Sequence, residues 1–156
     1  MSCSVRVHVG LTADPDHVFD VLQDFESYPR LTPAVREVHI LDRTPEVITS
    51  RWAVNFRGGV LQWVERDLID PVARTIAFDQ LEGDFHRFSG VWTVSARGDR
   101  TVVEFSSEFD LGMATLAQIL NPVAMRALQE NISLLLRGLF GDHLEPQGHV
   151  EDLQAV

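Results

Sequence analysis

Between Val35 and Asp110 the chain keeps to one pattern. Six runs rich in Val, Ile, Phe, Trp and Thr are separated by Thr44-Pro45, Gly58-Gly59, Asp70-Pro71, Glu82-Gly83-Asp84 and Gly98-Asp99. Short apolar runs punctuated this regularly read as antiparallel strands joined by tight turns. Ahead of them, Val5-Arg6-Val7-His8-Val9 alternates as one more strand. Asp14-Pro15 then supplies an N-cap and a proline at the first helical position, and Val18, Val21, Leu22 and Phe25 share one helical face. Tyr28-Pro29 and Thr32-Pro33 end that helix in a loop or a single extra turn. After the strands, Asn121-Pro122 repeats the cap signature. Met125, Leu128, Ile132, Leu135, Leu136 and Leu139 then form an apolar stripe to about Gly141. This order predicts an α+β fold in which a seven-stranded antiparallel curved sheet wraps a long C-terminal helix. No other arrangement buries both apolar faces as economically.

A chain of 156 residues, 45% hydrophobic and 23% charged, fits one domain with a core large enough to enclose a cavity. Residues 1–144 are read as that domain. Residues 145–156, with Pro146, Gly148 and Glu151-Asp152, are read as a flexible acidic tail. No apolar run approaches the ~18 residues of a membrane span. The N-terminus lacks the apolar core of a signal peptide, so a cytoplasmic protein is expected. The net charge of −10 argues against nucleic acid, whose binding needs cations to displace counterions, and against an anionic membrane surface. All 13 basic residues are Arg, so Schiff-base and P-loop chemistry lose their usual lysine. Cys3 is the single cysteine, and the six histidines, at 8, 17, 39, 86, 143 and 149, form no metal-ligand pattern. Neither a disulfide nor a metal site is expected.

Turn positions assign the strand faces. A two-residue turn at Gly58-Gly59 pairs Arg57 with Val60, Phe56 with Leu61, Val54 with Trp63, Trp52 with Glu65 and Ser50 with Asp67. A turn at Gly98-Asp99 pairs Val94 with Val103, Trp92 with Phe105, Gly90 with Ser107 and Phe88 with Phe109. Arg51, Asn55, Arg57, Gln62, Arg66, Ser89, Thr93, Glu104 and Glu108 fall on the opposite, wet face. The inner face is then strongly aromatic: Trp52, Phe56, Trp63, Phe88, Trp92, Phe105 and Phe109. Aromatic residues are ordinary core material. Here, however, Ser50, Glu65, Asp67 and Ser107 share their face, and Asn131 lies within the apolar arc of the long helix. Polar groups converging on an aromatic-lined concavity are the mark of a small-molecule site.

Glu65 and Asp67 are the sharpest feature. Carboxylates two apart on a strand share a face, and burial raises the pKa of at least one. Such a group can act as base on an acidic methylene and then as acid in dehydration. The competing readings are a structural pair at a solvated pocket rim, or carboxylates hydrogen-bonded to Ser50 and Trp52. Asp16, Asp20 and Asp24 read as a solvated helix face, Gly58-Gly59 as a turn and His86 as an exposed loop residue. Ser106-Ser107 lacks the strand-turn-helix context of a hydrolase nucleophile.

In element order, and in the strings Tyr28-Pro29, Trp63-Val64-Glu65-Arg66-Asp67 leading to Asp70-Pro71, Phe88-Ser89-Gly90-Val91-Trp92, and Asn131, the chain resembles the START-like, helix-grip (SRPBCC) superfamily. Within it, the resemblance is to the polyketide cyclase/dehydrase proteins, from about Val5 to Leu144. The resemblance implies a helix-grip (START/Bet v 1-like) fold around a deep internal hydrophobic cavity. It also implies binding of a polyketide delivered by an acyl carrier protein, with aldol cyclisation and dehydration and no metal or redox cofactor. Trp63, Phe88, Trp92 and Asn131 match positions that line the cyclase pocket, and Tyr28 matches an aromatic at its mouth. Aromatase/cyclases commonly carry an arginine where this chain has Asp67 and a small hydroxyl residue where it has Glu65. Thr32 and Val35 replace aromatics near the entrance. The expected site is therefore Asp67 and Glu65 as acid–base residues, with Tyr28, Trp52, Phe56, Trp63, Phe88, Trp92, Phe105, Ser107 and Asn131 holding the substrate. The alternative is a non-catalytic carrier for a quinone, a lipid or a finished polyketide.

Overall fold

Tight turns bring successive strand segments side by side, and the sheet follows from them. The computed structural model describes residues 3–56, 59–112 and 117–155, the side chains of 117–121, 142 and 145–155 excepted. The strands are β1 (Cys3–Leu11), β2 (Val35–Arg43), β3 (Val47–Phe56), β4 (Gly59–Asp70), β5 (Thr75–Gly83), β6 (Arg87–Arg97), β7 (Arg100–Asp110) and β8 (Leu144–Ala155). They form one antiparallel sheet in the order β2-β3-β4-β5-β6-β7-β1-β8. Helix α1 (Pro15–Gln23), the single turn α2 (Tyr28–Leu31) and the long helix α3 (Ala117–Phe140) complete the described elements, apart from short 3-10 turns. The side chain of Asp14 accepts hydrogen bonds from the backbone N–H groups of Asp16 and His17, so the expected cap starts α1.

The β6–β7 register is the one its turn predicts, with Trp92 opposite Phe105 and Gly90 opposite Ser107. The β3–β4 register differs. Phe56 pairs with Gly59, Trp52 with Trp63 and Ser50 with Glu65, two residues from the expected pairing. The expected Gly58-Gly59 turn and the Arg57–Val60 pair involve residues 57 and 58, which lie outside the described residues. A slip of two preserves the face of every side chain, because the strand period is two. Trp52, Trp63, Trp92 and Phe105 are accordingly buried on the concave face, and Arg51 and Arg66 are exposed.

Two boundaries depart from the sequence reading. Helix α3 begins at Ala117 and carries Pro122 inside it, whereas Asn121-Pro122 reads as its cap. Ala117, Gln118 and Leu120 are strong helix formers and extend the helix upstream, at the cost of the hydrogen bond that a proline nitrogen cannot donate. The segment read as a flexible tail pairs along β1 as an eighth strand. Without it the outer edge of β1 would present a row of unpaired N–H and C=O groups.

The stripe of α3 faces the concave side, with Met125, Leu128, Ile132, Leu135 and Leu136 buried. Near the end of the helix α2 approaches so closely that a Cβ on Gly138 would lie 2.5 Å from the Leu31 carbonyl oxygen and 2.8 Å from Thr32 Cβ. Gly138→Ala gains about 1 kcal/mol of helix propensity but creates an overlap costing about 1–3 kcal/mol. Chemical denaturation should show net destabilisation. A stabilised variant would mean that the α2–α3 contact yields freely.

Candidate functional site: a carboxyl pair in an aromatic cavity

Alternation along β3 and β4 places Ser50, Trp52, Trp63, Glu65 and Asp67 on the concave face. Because Trp52 sits directly opposite Trp63, their rings stack with centroids 6.2 Å apart and planes 5° from parallel. Each indole N–H then needs an acceptor inside the core. Trp63 Nε1 donates to Glu65 Oε1 at 2.7 Å, and Trp52 Nε1 donates to Ser50 Oγ at 2.8 Å. Ser50 Oγ in turn donates to Asp67 Oδ2 at 2.7 Å. The carboxyl pair is thus built into the aromatic wall and does not sit at a solvated rim: Glu65 is 6% exposed and Asp67 0%.

Burial dominates the titration of both acids. It holds Glu65 well above the usual carboxylate range, and the neighbouring Asp67 carboxyl raises it further by hydrogen bonding and by charge, against a smaller opposing effect of the Trp63 N–H. Burial also raises Asp67, while hydrogen bonds from Glu65 and Ser50 act in the opposite direction. The pair therefore retains a proton into a pH range where ordinary carboxylates have lost theirs. This accounts for an otherwise costly detail. Asp67 Oδ1 is buried and has no hydrogen-bond partner among the described residues, and a proton shared with the neighbouring Glu65 carboxyl would supply one.

The pair lines a cavity of about 80 Å³ between the sheet and α3. Drug-sized ligands occupy sites of roughly 300–1,000 Å³, so a larger ligand requires side chains to move outward. Of the expected substrate-binding residues, Tyr28, Trp52, Phe56, Trp63, Phe88, Trp92, Phe105 and Asn131 all reach the cavity. Ser107 does not line it; it is buried opposite Gly90, and its Oγ has no partner among the described residues. Tyr28 contributes its ring, because its hydroxyl donates to the Leu22 carbonyl oxygen. Asn131 spends one N–H on the Asn55 carbonyl oxygen at 2.6 Å, tying α3 to the end of β3.

Phe25, Phe78 and Phe85 also line the cavity, although the sequence reading does not place them there. Phe85 stacks on Phe88 with centroids 4.4 Å apart. The ring of Phe78 lies over Gly90, where a Cβ would come within 2.6 Å of it. Phe78 is legible in principle, since it sits on β5 two residues from Ile76, with the alternation of an inward face. Beside the acid pair, β5 carries an irregularity: Glu65 pairs with Gln80 and Val64 with Glu82, leaving Leu81 without a partner. Bulges of this kind locally re-aim side chains next to sites.

These features coincide with a family. The sequence matches the family of polyketide cyclase/dehydrase and lipid transport proteins over residues 11–135, and the chain belongs to it. A solved structure from Thermus thermophilus superposes with a TM-score of 0.83 at 26% identity, covering 88% of this chain and 94% of that one. The Zhui aromatase/cyclase from Streptomyces sp. R1128 gives 0.79 at 23% identity, with 91% and 93% covered. A START superfamily protein from Mycobacterium smegmatis gives 0.76 at 20%, with 90% and 96% covered. The architecture is therefore the helix-grip fold. Among the described residues, no helix is long and apolar enough to cross a membrane, and no cluster of His, Cys, Asp and Glu is arranged to hold a metal ion.

The raised carboxyls have a consequence for stability. Above the ordinary values of 4.5 for Glu and 3.8 for Asp, the unfolded chain has released protons that the folded pair still holds. Their contribution is complete below those values and is lost as pH rises through the folded pKa. Between the two limits each group gives a slope of about 1.4 kcal/mol per pH unit. Urea unfolding between pH 5 and pH 8 should show wild-type stability falling with pH and a flatter dependence for Glu65→Gln. Parallel curves would mean that Glu65 is ionised in the fold.

Proposed function

We propose that the protein is a cofactor-independent cyclase/dehydratase acting on a polyketide or related polycarbonyl, with Asp67 and Glu65 as its acid–base pair. The observation that carries this reading is the buried Glu65–Asp67 carboxyl pair on the wall of a largely apolar cavity, where burial favours holding a proton within the pair. Asp67 takes a proton from a methylene between two carbonyls. The enolate carbon attacks a second carbonyl of the chain and forms the ring bond. Glu65 gives its proton to the resulting alkoxide, and in dehydration the same pair removes the adjacent C–H proton and protonates the departing hydroxide. A neutral carboxylic acid in a dry site can hydrogen-bond an enolate oxygen without a cation. Aromatic walls at Trp52, Trp63, Phe88 and Trp92 would hold flat intermediates, and an acyl carrier protein would deliver the chain as a thioester.

The carrier reading draws on a different observation. Ser50, Trp52 and Trp63 already hold hydrogen bonds within the pair's network, which a purely structural pair would also show. Substitution separates the two. Asp67→Asn keeps the shape and removes the titrating group, so turnover of a thioester-linked poly-β-ketone should drop about a hundredfold with KM changed little. Glu65→Gln should lower turnover as well. Unchanged turnover in both variants would eliminate the acid–base role.

A further inference from the structure

Glu65 and Asp67 are the acidic members of the cavity lining, and no Arg or His accompanies them among the described residues. The chain contains no Lys that could reach in. Asp67 Oδ1 is buried and has no hydrogen-bond partner among the described residues. The walls beside it are aromatic. Trp52 and Trp63 stack, and Phe25 and Tyr28 meet Trp52 edge-on at 5.4 and 5.5 Å. A dry acceptor lacking a fixed donor is costly, and a charged donor relieves that cost most strongly. A cation would meet carboxylate oxygen and ring π-density together. An anionic ligand would meet like charge at low dielectric, with nothing positive on the lining to offset it.

We propose that this cavity binds small hydrophobic amines in their protonated form, with the ammonium donating to Asp67 Oδ1. The Trp52, Trp63 and Tyr28 rings enclose the apolar part. The other titratable group on the lining is the Tyr28 hydroxyl, which is committed to the Leu22 carbonyl and does not compete. The small volume favours a single ring over a fused system. This binding preference does not depend on any catalytic step: the site would discriminate by charge whether the protein turns over its ligand or only carries it.

A matched series tests it by titration calorimetry at neutral pH: benzylamine, benzyl alcohol and benzoate, near in shape and different in charge. Benzylamine should bind wild-type protein at least about tenfold more tightly than benzyl alcohol, as a charge-assisted contact in a desolvated site implies, and benzoate should bind more weakly than both. In Asp67→Asn, benzylamine should fall to near parity with benzyl alcohol, whose retained binding shows that the cavity is intact. Should that variant fail to fold, the wild-type series and Glu65→Gln, in which the amine preference over the alcohol persists, decide the matter. Benzylamine no tighter than the alcohol, or benzoate the tightest, would overturn the proposal. So would an amine preference that survives intact in Asp67→Asn, which would reflect diffuse attraction to the acidic surface. Loss of polyketide turnover in that variant reports on the acid–base reading alone, so the two can fail separately.

Discussion

A curved antiparallel sheet closed by one helix has more concave surface than the helix can cover, and large side chains must fill the remainder. In this protein they are mostly aromatic, and two are tryptophans stacked directly across β3 and β4. Each buried aromatic removes roughly 150–250 Å² from water. An indole also carries an N–H that cannot be left unpaired in such a place. Ser50 and Glu65 meet that need, and Ser50 brings Asp67 with it. The chemistry of the cavity thus grows out of the packing problem that the fold poses.

Two acids in a dry wall would repel each other if both were ionised, and each would lose its hydration. Retaining a proton resolves both difficulties, and the fold offers no other remedy, since no basic side chain among the described residues reaches the lining. The resemblance to aromatase/cyclases implies an arginine where Asp67 stands, so the polarity of the site is reversed relative to that pattern. Among the described residues, the lining offers two carboxyl groups and no fixed positive charge.

Much of this is legible in the residues because strand alternation is robust. The β6–β7 register follows from Gly98-Asp99, where Gly98 takes a positive φ of 66° and Arg97 pairs with Arg100. The β3–β4 register is not determined by sequence, since Arg57-Gly58-Gly59 offers more than one two-residue turn. The difference is two residues, so every face stays correct while the partner opposite Trp52 changes from Glu65 to Trp63. The tryptophan stack is hidden for that reason. The irregularity at Leu81 and the inward turn of Phe85 have no local signature, because they depend on how neighbouring strands meet. At the start of α3 a proline suggests an end, but the helix formers ahead of it continue the helix; along 144–155 proline, glycine and acidic residues suggest an end, and pairing with β1 continues the sheet. Ser107 shares the concave face but lies beyond the cavity, a distinction that face assignment alone cannot make.

The proposed acid–base role requires a proton held between Glu65 and Asp67 in the folded protein. Carbon-13 NMR of the labelled side-chain carboxyls, followed through a pH titration, observes that proton directly. The two resonances should titrate as a coupled pair, with Glu65 still protonated well above the ordinary glutamate value of 4.5. Independent titration of both groups near their ordinary values would contradict this and would mean that both carboxylates are ionised within the fold.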